Sequence, residues 1–227
     1  LAFRPSYRWG GVSLLVRSEF ALKTISEALS VQALGLRALR VEALDPVVLL
    51  PLLEAGLLPE LRELTLESCG VVSRGSSFAL DGQVTQLNFH GHELLFQALT
   101  EQPDLRVLRL PDNRLGNRGL EILKGFSRLQ GLELRGNGIC DRGLSSLSGL
   151  VSLKRLGLSR NLVRGPGLGA LSGLPYLVDL DLHQNPMDDF DSLEQLVHVR
   201  VLRGLSDQMS TDQKNRLKQA LPSCEIA

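Results

Sequence analysis

Asp179, Asp181 and His183 alternate along the segment LVDLDLHQN that begins at Leu177, and they are the first group in this chain that could do chemistry. Two carboxylates and an imidazole suit a metal ion when they converge on a point about 2 Å away, usually with a fourth ligand. Alternation implies an extended segment, which holds same-face side chains ~6.6 Å apart and projects them in parallel. Arg155, at the matching place 24 residues before Asp179, adds a cation that repels a metal. No metal is expected there. Ser145, Ser146 and Ser148 in GLSSLSGL carry hydroxyls, but their segment has helical spacing and no histidine near in sequence to activate one. The four histidines, His90, His92, His183 and His198, serve as surface groups or core substitutes without a catalytic role. With neither a glycine-rich phosphate loop nor an HExxH segment, the chain reads as a non-enzyme without a cofactor.

These polar residues belong to a larger pattern. L-x-x-L-x-L-x-x-N-x-[LIVM] begins at Leu105, Leu129, Leu153 and Leu177, each start 24 residues after the last. The first three copies continue x-x-x-G-L-x-x-L-x-x-[LF]. The first half alternates as a strand does, with Leu108 and Leu110 on one side and Val107, Arg109 and Pro111 on the other. The second half spaces Leu120, Leu123 and Phe126 as one helical face. A strand, a turn and a helix cannot bury that apolar side alone, whereas stacked copies share a continuous core.

Asn113, Asn137, Asn161 and Asn185 stand where each copy leaves its strand. Backbone groups in a buried turn lack sheet partners, and an amide that both donates and accepts can satisfy those of a neighbouring copy. These four asparagines are expected to form a structural ladder rather than to recognise a ligand. Looser copies begin at Leu36, Leu61 and Val84, with Leu44, Cys69 and His92 at the asparagine position. Cys69 reads there as a small, weak hydrogen-bonding substitute.

The expected organisation is a single repeat domain over 1–227. Residues 1–35 form a degenerate first repeat with Val12 and Leu14 in its strand and a helix starting near Ser18. Residues 36–104 hold three irregular repeats, with a helix start at Asp45-Pro46. Residues 105–198 hold four regular ones, and 199–227 a last strand and a closing helix. Ser210 to Gln213 fits a capping box at the start of that helix. The chain does not begin with Met, and it reads as a piece of something longer.

Composition narrows the function classes. Lys+Arg and Asp+Glu both total 25, so the surplus of cations that nucleic-acid binding calls for is missing. A membrane surface would receive no more electrostatic help, and no apolar run approaches the ~18–20 residues of a span. Neither nucleic acid nor membrane is expected as partner. Cys69, Cys140 and Cys224 form no CxxC pair and cannot all pair, which suits reduced thiols in a cytoplasmic protein.

The four N-containing copies resemble leucine-rich repeat proteins over nearly the whole chain. The 24-residue length with G-L-x-x-L-x-x-L is similar to the short, ribonuclease-inhibitor-like class. FRPSYRWGGVSL, LGLRALRV and the closing ALPSCEI further resemble bacterial repeat proteins of myxobacteria and planctomycetes that follow a small companion domain. The resemblance implies an α/β, right-handed solenoid: a concave parallel sheet of about eight strands and a mostly helical convex side. It also implies binding of another protein through the concave face, and a monomeric domain is expected. Some relatives in fold activate small GTPases, which is the alternative reading.

The third, fifth and seventh residue of each strand unit would form that face, from Ala38, Arg40 and Glu42 through to Val201, Arg203 and Leu205. The candidate partner-binding residues are Arg109, Glu133, Arg135, Arg155, Asp179, Asp181, His183 and Arg203. Neighbouring strands would pair Arg109 with Glu133, Arg155 with Asp179, and Asp181 with Arg203. An acidic group of Glu42, Glu63 and Glu67 would mark one end.

Overall fold

The computed structural model describes residues 12–16, 36–42, 49–67, 69 and 89–227. The chain divides into two compact units, Leu1–Leu105 and Arg106–Ala227. The helix expected near Ser18, the Asp45-Pro46 helix start and Val84 to Asn88 lie outside the described residues.

In the first unit, β1 (Val12–Val16), β2 (Leu36–Glu42) and β3 (Glu63–Glu67) lie side by side in parallel. Register places Leu39 beside Leu64 and Val41 beside Leu66, and all four are buried. Between β2 and β3, a helix at Leu50–Glu54 has Pro51 in its first turn, where the missing N–H costs nothing. It packs Leu52 and Leu53 inward beside a longer helix, Phe89–Thr100, which buries Leu95, Phe96 and Leu99. Phe89 and His90, read from the sequence as strand positions, are helical. The helical spacing of Leu95, Phe96 and Leu99 carries the helix back to Phe89.

The second unit is a row of short parallel strands. β4 (Val107–Arg109), β5 (Gly131–Glu133), β6 (Arg155–Gly157), β7 (Asp179–Asp181) and β8 (Val201–Arg203) pair in sequence order. Their central leucines, Leu108, Leu132, Leu156, Leu180 and Leu202, stack in register inside the core. The returning segments are brief: single α-turns at Gly116–Gly119 and Asp141–Leu144, and 3₁₀ turns at Leu120–Leu123, Ser145–Leu147, Pro166–Leu171 and Asp191–Gln195. At ~2.0 Å rise per residue, a 3₁₀ turn spans more distance than an α-turn with the same residues. Leu120, Leu144 and Leu168 still meet the strands' inner side, and each is fully buried.

The closing helix, Thr211–Ala220, starts with a capping box: Gln213 N donates to Ser210 Oγ at 3.3 Å, and Ser210 N to Gln213 Oε1 at 2.8 Å. Leu217 is buried, and Arg216 reaches Glu194 at 3.1 Å and Asp191 at 3.4 Å. The chain then adds β9 (Glu225–Ile226) to β8, a strand beyond those counted from the sequence. Leu205 is not on the outer face. The backbone turns at Gly204, φ +83°, and Leu205 is fully buried.

Candidate functional site

The outward face of β4–β8 is held by its turns. One residue before each asparagine the backbone enters the left-handed region: φ is +56° at Asp112, +69° at Gly136, +55° at Arg160 and +57° at Gln184. Backbone bonds between repeats run up to that residue, with Leu110 N donating to Glu133 O and Asp112 N to Arg135 O, both at 2.8 Å, and the chain then leaves the sheet at the buried asparagine. Asn137 Oδ1 accepts from Asn113 N and Leu115 N, both at 3.2 Å, and Asn161 Oδ1 from Asn137 N and Ile139 N, both at 3.0 Å. In the same way Asn185 Oδ1 takes Val163 N at 3.0 Å. Nδ2 of Asn137 donates to Leu110 O (2.7 Å) and Leu134 O (2.8 Å), so each amide ties its own repeat to the one before. All four asparagines are at most 4% exposed. These bonds give partners to buried backbone groups at the turns that carry the surface.

A second polar series, unread in the sequence, runs behind the first. Asn117 Oδ1 accepts from Cys140 N at 2.9 Å, and one repeat later Asp141 accepts from Arg164 N, Gly165 N and Gly167 N at 2.8–3.0 Å. Partial burial pushes the Asp141 pKa up, but the N–H bonds outweigh it and leave the carboxyl below its ordinary range. The available signal was the 24-residue spacing of Asn117 and Asp141, both able to accept from backbone.

Register lines up two outward rows. One is Val107, Gly131, Arg155, Asp179 and Val201; the other is Arg109, Glu133, Gly157, Asp181 and Arg203. Two of the expected ion pairs are replaced by others. Arg203 Nη2 meets Asp179 Oδ2 at 3.0 Å, a diagonal contact, instead of Asp181. Asp181 Oδ1 is taken from its own strand, by His183 N at 2.9 Å and His183 Nδ1 at 2.6 Å. That two-residue reach needs no side chain stretched across strands, which is why the lateral partner loses. Asp179 being occupied, Arg155 makes no ion pair among the described residues.

The two glycines in these rows were not singled out as site residues, yet they shape the centre. A Cβ on Gly157 would stand 2.2 Å from Glu133 Oε2, so the Glu133 carboxylate lies across the space a side chain would fill. At Gly131 the Val107 methyls lean over in the same manner, 3.4 Å from such a Cβ. Burial pushes the Glu133 pKa above its usual value; the Arg135 N–H, bonded at 3.0 Å, opposes this, Asp181 adds to it, and Arg109 and Arg135 draw it down. The net direction is upward.

In the first unit, Arg40 bridges Glu42 at 2.8 Å and Glu67, so the acidic group expected at that end is partly neutralised. Cys69, at the asparagine position, donates its thiol to Val41 O at 3.2 Å. All three cysteines are free thiols. Among the described residues no set of three His, Cys, Asp or Glu could hold a metal ion, and no helix is long and apolar enough to cross a membrane.

Neither a family model nor a curated protein matches the chain. Among solved structures it is similar to TLR13 in a complex with ssRNA13, at 21% identity and a TM-score of 0.52 over 74% of this chain and 25% of that one. The fold is that of the leucine-rich repeat. Internalin C2 from Listeria monocytogenes aligns at 19% identity and a TM-score of 0.44, over 74% of this chain and 60% of that one. The chain thus spans less than two thirds of either protein. In leucine-rich-repeat terms, β4–β8 are repeat strands, the asparagines their turn ladder, and the two outward rows the positions free to change.

Proposed function

We propose that the chain is a non-catalytic interaction module that holds a partner protein against the outward face of β4–β8. The observation that carries this reading is the division of labour within each repeat. Leucines and asparagines are buried and repeat, whereas Arg109, Glu133, Arg135, Arg155, Asp179, Asp181, His183 and Arg203 differ from strand to strand on one hydrogen-bonded surface. TLR13 was solved with ssRNA, but here four arginines share the face with Glu133, Asp179 and Asp181. That balance favours selective charge pairing with a protein over capture of a polyanion. The free thiols fit a reducing, cytoplasmic setting.

The test is capture of partners from native lysate by immobilised variants. Arg109→Glu with Arg135→Glu should abolish capture and leave the melting temperature nearly unchanged. Reversing the convex pair Glu121 and Lys124, exposed and 3.8 Å apart, should leave capture intact. A disruptive convex reversal with a silent outward-face one would place binding elsewhere. GTP-hydrolysis assays with candidate small GTPases separate the plain binding module from the accessory-regulator alternative.

A further inference from the structure

Four of the large apolar side chains that the second unit leaves exposed lie along one edge of its sheet. Val151, Tyr176, Val178 and Val197 are 39–60% exposed. All sit in the turns that lead into β6, β7 and β8, on the side opposite the asparagine ladder. These turns are equivalent: Leu153 N donates to Leu150 O at 2.9 Å, Leu177 N to Leu174 O at 3.3 Å, and Val199 N to Leu196 O at 2.9 Å. The residues after them bond across repeats, Val178 N to Lys154 O at 2.9 Å and Arg200 N to Val178 O at 2.8 Å. Successive turns therefore follow the strand spacing of about 4.8 Å. Val151 and Val197 flank Pro175 in one row, with Tyr176 beside it and Val178 just behind. The strip follows three successive turns.

Its charge is one-sided. In the four equivalent turns, residues 127, 128, 130, 151, 152, 154, 175, 176, 178, 197, 198 and 200 include three cations and no carboxylate, in a chain with 25 of each charge. Arg200 Nη1 donates to Val197 O at 3.0 Å and Val199 O at 3.3 Å, which fixes its positive charge beside the Val197 methyls. Lys154 and Arg200 make no ion pair among the described residues. Nearby, Asp179 is occupied by Arg203, and Glu194 by Arg216. Glu225, on the adjoining strand, forms no ion pair with Arg200.

We infer that this edge is a second docking surface, one that takes a short acidic segment of another protein carrying apolar side chains. Charge complementarity selects the occupant: carboxylates of the segment would meet Lys154 and Arg200, while its apolar side chains cover Tyr176 and the valines. A second copy of the chain offers a poorer match, because the convex acids Asp188, Asp191 and Glu194 are engaged by Arg164 and Arg216. A membrane surface wants a broad apolar face and a cationic surplus, and this strip is three turns long on a chain of zero net charge. The proposal uses a different surface from the outward sheet face and can stand or fall without it.

The experiment is an array of synthetic twelve-residue peptides alternating Asp or Glu with Leu, Phe or Tyr, followed by fluorescence anisotropy with the best binder. Binding should weaken at least tenfold in Lys154→Glu with Arg200→Glu. It should weaken similarly in Tyr176→Ser with Val197→Ser, and stay unchanged in the outward-face variant Arg109→Glu with Arg135→Glu. Peptides with Lys in place of the acids should not bind. Absence of acidic-peptide binding would overturn the inference, as would binding indifferent to both edge variants. Retention on phosphatidylglycerol vesicles lost in the edge variants would assign the strip to a lipid surface instead. Concentration-dependent dimerisation abolished by Tyr176→Ser would assign it to a second copy; either result rejects the acidic segment.

Discussion

The two units solve the same stacking problem with different parts. β2 runs seven residues and β3 five, whereas each of β4–β8 runs three. In the first unit, regular strand pairing runs as far as Glu42 and Glu67, and at the asparagine position a thiol, Cys69, reaches the carbonyls of Val41 and Glu67. In the second unit, backbone bonds between repeats run on to the left-handed residue, as from Asp112 N to Arg135 O at 2.8 Å, and past it an asparagine supplies up to five hydrogen bonds of its own, as at Asn137. Stacking of leucines therefore does not require asparagine. The left-handed turn uses it, because a side chain that donates and accepts at once can serve both repeats across the turn.

The strongest way to break this comparison is Asn137→Leu, which leaves Asn113 N, Leu115 N and Leu110 O buried without partners. The expected loss is roughly 1–3 kcal/mol in denaturant titration. Cys69→Ala should cost about 1 kcal/mol or less, and Arg135→Leu under about 0.5 kcal/mol. Equal losses for Asn137→Leu and Arg135→Leu would remove the ladder from the account.

Next in size are the left-handed turn residues. Gly136→Ala places a Cβ 2.1 Å from Asp112 Oδ1 at φ +69°, and should cost about 1–2 kcal/mol. Arg160→Gly, at the matching position, should stabilise or be neutral, since a residue with a Cβ already strains there at φ +55°. Melting temperatures moving in opposite directions would support the left-handed conformation as what each turn demands.

Two carboxylates sharpen the comparison through pH. The Asp141 pKa is held low in the folded chain, so its contribution is present above the unfolded carboxylate range and is lost as pH falls through the folded value. Stability curves of wild type and Asp141→Asn should differ at neutral pH and converge in acid; parallel curves would show that its bonds to Arg164, Gly165 and Gly167 contribute nothing. Glu133 has the opposite sign. Its folded pKa is raised, so stability declines as pH rises from the ordinary glutamate value to the folded one, and is level beyond it. Glu133→Gln should erase that small decline, and carboxyl NMR should place the Glu133 midpoint above that of exposed glutamates.

How far the site could be read from the chain depended on how many residues each feature involves. The ladder positions and outward rows came directly from spacing, because period and alternation are properties of the backbone. Partner choice did not: Arg203 turned to Asp179 and Asp181 to His183, since a flexible side chain settles on whichever group is nearest in space. Leu205 was misplaced because one residue with positive φ, Gly204, exchanges inward and outward for everything after it. Phe89 and His90 went astray where a strand pattern and a helical spacing overlap.

By itself the sequence determined that this chain stacks repeats, where the strands of the four regular copies lie, and which of their leucines and asparagines are interior, because a period of 24 residues imposes the same burial on every copy. Only the tertiary structure decided that Glu133 lies across Gly157, that Asp141 holds the next repeat's turn, and that Val151, Tyr176, Val178 and Val197 form one strip. Each of those facts joins residues about one repeat apart. Stacking brings them within reach, and the cost of unmet hydrogen bonds and stranded charge then selects among the contacts available.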